Sequence, residues 1–209
     1  MEPAQGWVTE LRRFVRRSPV HENCELCHEE IDPGHSHLVQ PSSRRLLCCC
    51  RACAVLFSNH ESANYRRVPD QCEFLAEFRM TDRQWEALRI PINLAFFFRS
   101  SAAQRVLGFY PSPAGATESL LSLAAWESLI EDNPRLAEFE PDVEALLINR
   151  MEGERGYYRA PIDRCYELVG IIRANWRGMS GGPEAWSAIR GFFARLKTAS
   201  APSEFRCHA

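Results

Sequence analysis

The sequence predicts an α+β protein: a small cysteine-stapled module, then an antiparallel sheet built in the order ββαββαα with helices on one face. Three observations predict it. Cys24-Glu25-Leu26-Cys27 and Cys50-Arg51-Ala52-Cys53 are two Cys-x-x-Cys pairs separated by 22 residues. Beyond residue 80, apolar runs of strand length alternate with turn residues. The stretches after Asp163 and Glu184 carry the longer period of amphipathic helices.

Taken in order, residues 1–20 read as an amphipathic helix. At 100° per residue, Trp7, Val8, Leu11, Phe14 and Val15 share one arc over residues 5–17, and Arg12, Arg13, Arg16 and Arg17 share the opposite one. Residues 21–79 hold the cysteine module and a connector. Inside the module, Leu38-Val39-Gln40, a turn at Pro41-Ser42-Ser43-Arg44, and Leu46-Leu47 form a β-hairpin that returns the second cysteine pair to the first. If the turn sits on Ser42-Ser43, paired residues sum to 85, so His37 faces Cys48 and His35 faces Cys50 on one side of the ribbon. The polar run Ser58–Ser62 and Pro69-Asp70 mark residues 58–79 as the connector.

Residues 80–197 form the α+β domain. Thr81 caps a short helix from Asp82 to Leu88. Strands follow at Ile92–Phe98 and Arg105–Tyr110, Pro111–Ala116 ends the second, and a helix runs from Thr117 to Ile130. Val143–Arg150 and Tyr157–Pro161 are strands around the loop Glu152–Gly156. Asp163 caps a helix to Trp176, and Arg177–Pro183 leads to a last helix, Glu184–Lys197. The tail, 198–209, has little reason to be ordered.

Composition limits the function classes. A net charge of −2 gives no general attraction to nucleic acid or to an anionic membrane. Of 25 basic residues only Lys197 is a lysine, a bias that reads as codon usage before function. The run Ile92–Phe98 falls far short of the ~20 residues a membrane span needs. Arg12-Arg13 and Arg16-Arg17 resemble the start of an export signal, but polar Ser18–Asn23 stands where an apolar stretch should follow, so a cytoplasmic location is expected. Nine cysteines are present, five of them within residues 24–50. In a reducing compartment such thiols bind metal rather than pair.

A Cys-x-x-Cys turn aims two thiolates at one point, and two such turns complete a tetrahedral zinc site. Cys24, Cys27, Cys50 and Cys53 are the expected ligands of one structural Zn2+, in a zinc-ribbon, rubredoxin-like or treble-clef module. Iron is the alternative metal, since four cysteines hold either. The loops lack the Pro and Gly that surround rubredoxin irons, which favours zinc. Cys48 lacks the spacing to Cys53; with His37 opposite Cys48 and His35 opposite Cys50, the ribbon could form a second, weaker metal site, let a histidine replace a cysteine, or simply carry two surface histidines. Arg44, Arg45 and Arg51 are candidates to offset the negative centre, or plain surface groups.

Catalytic readings are thinner. His35 or His37 could act as the base of an HNH-like nuclease, but Ala54-Val55-Leu56-Phe57 replaces the downstream metal ligand such enzymes need. Cys165, near a helix start, is expected to be a buried structural thiol. The stretch Phe109–Glu118 could cup an anion at a helix N-terminus. Gly178, Gly181 and Gly182 read as a turn or a partner-contacting loop.

The stretches Cys24–Cys27, His35–Leu38, Leu47–Cys53, Tyr110–Glu118, Pro161–Gly170 and Trp176–Gly182 resemble an uncharacterised actinobacterial-type family whose genes often sit in nickel–iron hydrogenase clusters. The likeness spans about residues 20–197. Cys49 departs from that pattern, where a small residue is expected, which argues against Cys49 as a ligand. The resemblance implies a hydrogenase accessory or maturation factor, with hydrogenase subunits or maturation proteins as partners, and no catalytic residue. A non-catalytic assembly role is the expectation. Its contact surface would be the arginine-rich helix and the ribbon or, failing that, the loops Pro111–Thr117 and Arg177–Pro183.

Overall fold

The apolar runs Leu94–Phe98 and Ala145–Ile148 are continuous rather than alternating, and a strand of that composition needs cover on both of its faces. The computed structural model, which describes residues 22–58, 64–120, 122–178 and 180–202, gives them that cover. Strands β1 (Glu22–Asn23) and β2 (Glu30–Ile31) pair around the first cysteine turn. Next, β3 (Ser36–Gln40), β4 (Arg45–Cys49) and β5 (Arg66–Arg67) make a sheet in the order β4-β3-β5, and helix α1 (Arg51–Ser58) follows β4 directly. The β3–β4 register pairs His37 with Cys48 and Gln40 with Arg45, as a turn on Ser42-Ser43 requires.

The remaining chain builds a seven-stranded sheet. Its strands are β6 (Glu73–Phe74), β7 (Leu94–Ser100), β8 (Arg105–Ser112), β9 (Gly115–Ser119), β10 (Glu144–Asn149), β11 (Gly156–Pro161) and β12 (Ala201–Pro202), in the order β12-β6-β11-β10-β7-β8-β9. All neighbours are antiparallel except β12 and β6. Among the described residues, four α-helices accompany it: α2 (Asp82–Ala87), α3 (Leu123–Asp132), α4 (Ile162–Asn175) and α5 (Gly182–Ala199). Thr81 caps α2 through a reciprocal pair of hydrogen bonds with Gln84.

Helices cover both faces of the sheet, not one. Phe96, Phe98, Ala145 and Leu147 point into a core shared with Leu168 and Ile172 of α4 and Ile189 and Phe192 of α5. Their sequence neighbours Ala95, Phe97, Leu146 and Ile148 point to the other side, against Trp85 of α2 and Trp126 and Leu129 of α3. Side chains alternate across a strand, so an unbroken apolar run means two buried faces.

Other expectations need correction. The helix expected from Thr117 starts at Leu123, because residues 115–119 form β9 and pair Thr117 with Tyr110. The Ser112 hydroxyl donates to the Gly115 carbonyl at 3.0 Å and closes that hairpin. Phe109–Glu118 is therefore two strands and a turn, and the anion cup at a helix start does not exist there. Asp163 lies inside the first turn of α4 rather than at its cap. Within the connector, Arg66–Arg67 adds a strand to the hairpin sheet and Glu73–Phe74 adds one to the large sheet. The expected helix at 5–17 lies outside the described residues. Residues 198 and 199 complete α5 and residues 201–202 pair with β6, while residues 203–209 lie outside the description.

The cysteine module leans on the large sheet. Val39 and Val68 belong to the same core as Phe96 and Leu168. Arg66 reaches the buried Asp142 carboxylate at 3.6 Å, and His37 Nδ1 lies 3.0 Å from Asp163 Oδ2 on α4. Among the described residues, no helix is long and apolar enough to cross a membrane.

Candidate metal centre

Local hydrogen bonding builds the first cysteine turn. The Cys24 amide donates to the Glu29 carbonyl at 2.7 Å, and the His28 amide donates back to the Cys24 carbonyl at 2.8 Å. His28 takes a left-handed φ of 66° to make that return. Glu25 then fastens the turn to β4. Its amide donates to the Cys48 carbonyl at 2.9 Å, its carboxylate accepts from the Cys48 amide at 2.7 Å, and its other oxygen accepts from Arg45 at 2.7 Å.

The second turn is the start of α1. The Ala54 amide donates to the Cys50 carbonyl at 2.9 Å, and the Cys53 amide points at Cys50 Sγ, 3.4 Å away.

These constraints bring Cys24, Cys27, Cys50 and Cys53 together, all four sulfurs lying within 4.8 Å of one another. Cys27 Sγ and Cys50 Sγ are 3.7 Å apart. A tetrahedral ion with 2.3 Å sulfur bonds needs an edge of about 3.8 Å, so the donor set fits a metal of that kind. Cys24 and Cys53 are buried, Cys50 is half-buried and Cys27 is exposed. Burial pushes the Cys24 thiol up, but the amides of Cys50, Cys27 and Leu26 outweigh it and hold the group at about 6. Burial and the three neighbouring sulfurs push Cys53 the other way, far up. Four sulfurs this close share protons unless a cation sits among them. The four cysteines can therefore hold a metal ion, whose chemistry there is to cross-link the two turns.

Other candidates sort around this centre. Cys49 is buried and donates its S–H to the Ser36 carbonyl at 3.2 Å, away from the four sulfurs. Burial, then the neighbouring Cys24, Cys50 and Cys48, push its thiol up to about 11. Of the arginines, Arg45 is tied to the first turn through Glu25, whereas Arg44 turns to Glu118 and lies over the Phe109 ring. Arg51 is exposed on α1. Cys165 is wholly buried in the main core, where desolvation and then Asp163 and Cys72 raise its thiol well above the ordinary value. Such a thiol is inert.

Sequence reasoning did not assemble a groove of about 680 Å³ on the α5 side of the sheet, lined by Tyr110, Pro111, Pro113, Trp176, Trp186 and Arg190 among others. The Trp176 indole donates to the Gly178 carbonyl at 3.0 Å and the Trp186 indole to the Ser180 carbonyl at 2.9 Å. Both polar handles are satisfied, and the two half-buried rings pack near each other with centroids 5.8 Å apart. The two fallback loops, around Pro111 and Pro183, thus meet in one place. The signal was the Pro and Gly content of both loops, but only the α4–α5 turn shows that they meet.

No curated protein and no solved structure matches the chain. The family model described as a family of unknown function (DUF5947) matches residues 23–200. That span runs from β1 through the end of α5 and includes all four clustered cysteines, so the chain belongs to the DUF5947 family.

Proposed function

We propose that the chain is a zinc-stapled accessory factor that binds protein partners and catalyses nothing at its cysteine centre. The observation that carries this is the donor set itself: four converging cysteine sulfurs satisfy a tetrahedral ion and leave no position for substrate, which is the pattern of structural rather than catalytic zinc. The order of turn, hairpin and helix-borne second pair resembles a treble clef more than a ribbon. The aromatic and proline-lined groove supplies a contact surface rich in the residue types that dominate protein interfaces. Gene context implied by the family resemblance points to hydrogenase subunits or maturation proteins as clients.

The nuclease reading stands second. The His35 side chain is only 7 % exposed, and both histidines lie beside Cys48 rather than in an open cleft. A general base must reach its substrate. An iron-loaded electron carrier is the third reading.

The test is co-purification of the full-length protein with hydrogenase subunits and maturation proteins, wild type beside Trp186→Ala, with metal analysis in parallel. The expected result is one zinc in the cysteine centre of both proteins and about a tenfold loss of capture in the variant, or ~1.4 kcal/mol. Equal capture refutes the groove as contact surface. Metal-dependent nucleic-acid cleavage that disappears in His37→Ala replaces the reading with the nuclease, and red, iron-loaded protein replaces it with the electron carrier.

A further inference from the structure

The β3–β4 hairpin brings a second donor set together outside the four-cysteine centre. His35 and His37 are two residues apart and share one face, and Cys48 sits opposite His37 on β4. One nitrogen of each histidine and the Cys48 sulfur lie within 4.8 Å of one another. The two imidazole rings are 4.7 Å apart at their centroids.

Both rings are held through Nδ1. His35 Nδ1 is 2.8 Å from the Asp32 carbonyl and 3.5 Å from a Glu22 oxygen. His37 Nδ1 is 3.0 Å from Asp163 Oδ2. Carbonyls and carboxylates accept only, so each Nδ1 carries the hydrogen and each Nε2 of the neutral ring presents a lone pair. Metal-binding histidines are oriented in this way, by a carboxylate or backbone carbonyl on the far nitrogen. His35 Nε2 is buried without a hydrogen-bond partner, on a side chain that is 93 % buried. A buried polar atom left unpaired destabilises the fold; ligation removes that cost.

We propose that His35 Nε2, His37 Nε2 and Cys48 Sγ form a second metal site, selective for a divalent first-row transition ion such as zinc, cobalt or nickel. Two imidazoles and a thiolate match ions of intermediate softness and reject magnesium and calcium, which take oxygen donors. Tetrahedral bonds of about 2.0–2.1 Å to nitrogen and 2.3 Å to sulfur bring donors to about 3.3–3.6 Å. The present donor spacing lies within 4.8 Å. Three protein donors leave one position open, so this ion is exchangeable where the four-cysteine ion is locked in. Asp163 is a positioning residue here. It anchors His37 from the first turn of α4, and that helix packs in the main core, so occupancy at the hairpin is felt by the sheet. The inference does not rest on the partner-binding reading.

The test uses full-length protein, stripped of metal and titrated with Co2+. Wild type takes up two equivalents per chain, the first with the intense sulfur-to-cobalt absorption of the four-cysteine centre. His35→Ala/His37→Ala takes up one equivalent and keeps that absorption. Cys48→Ser, a single-atom change that preserves folding if the histidine variant does not, loses one thiolate's share of the sulfur absorption. Asp163→Asn keeps both equivalents but weakens the second about 10–100-fold. Uptake of a single equivalent by wild type under excess Co2+, or of two by the double histidine variant, overturns the proposal.

Discussion

Removal of the metal from the cysteine centre should unfold the first cysteine turn and α1 while the seven-stranded sheet stays intact. The small core behind the centre comprises Cys24, Leu38, Leu47, Cys49, Cys53 and Ala54, and its large aliphatic members are Leu38 and Leu47. Burying each is worth about 1.5–3 kcal/mol, whereas a structural zinc supplies about 10–16 kcal/mol near neutral pH. A zinc held there would therefore dominate this region, and the sheet has two cores of its own. A loss of even 5 kcal/mol raises the local opening equilibrium more than a thousandfold, at about 1.4 kcal/mol per decade. Amide hydrogen exchange read by mass spectrometry, with and without a strong chelator, measures it. Protection should collapse at the Cys24, His28 and Ala54 amides, whose partners are the Glu29, Cys24 and Cys50 carbonyls. Peptides from β7, β10 and α4 should keep theirs, and Cys24→Ser should show the same pattern without chelator. Unchanged protection at the turn, or collapse of the whole chain at once, refutes the reasoning.

Two further outcomes test the frame. Gly181 takes a φ of +88°, and a Cβ there would come within 3.0 Å of the Trp176 ring, so Gly181→Ala should cost about 1–3 kcal/mol in urea denaturation. Gly34→Ala, which meets open space, is the control and should shift the midpoint little. Asp82 is held below the usual carboxylate range by hydrogen bonds from Arg155 and Arg150. A depressed carboxyl stabilises the fold above its unfolded pKa of about 4, and loses that contribution as pH falls through the lower folded value. The Tm gap between wild type and Asp82→Asn should thus be full above about pH 5 and close toward acid; a gap that widens there contradicts the assignment.

Much of the centre was legible because its determinants are local. The Cys-x-x-Cys spacing names four ligands, and the Pro41–Arg44 turn fixes a register that places His37 opposite Cys48. Asp163 was not legible as a partner of His37, since it arrives through the sheet from far along the chain. The runs Leu94–Phe98 and Ala145–Ile148 carry the information that both faces are buried, in their continuity rather than in strand length or flanking turns. Thr117–Ser119 opens a stretch with helical spacing and good helix formers nearby, and still pairs as part of β9, because a waiting strand edge at β8 outweighs local preference.

The shared burial of Val39 and Val68 with α4 has a consequence during synthesis. Cys53 leaves the ribosome 110 residues ahead of Asp163, which at ordinary elongation rates is a delay of roughly 5–20 s. Throughout that interval the cysteine module exists without the wall that will cover its valines. A module with so small a core of its own can meet that wait folded only if it takes up its ion co-translationally. With a metal held there, its supply in the cell would govern how much newly made chain reaches the native state, and starvation for the ion would show first as degraded nascent protein rather than as inactive mature protein.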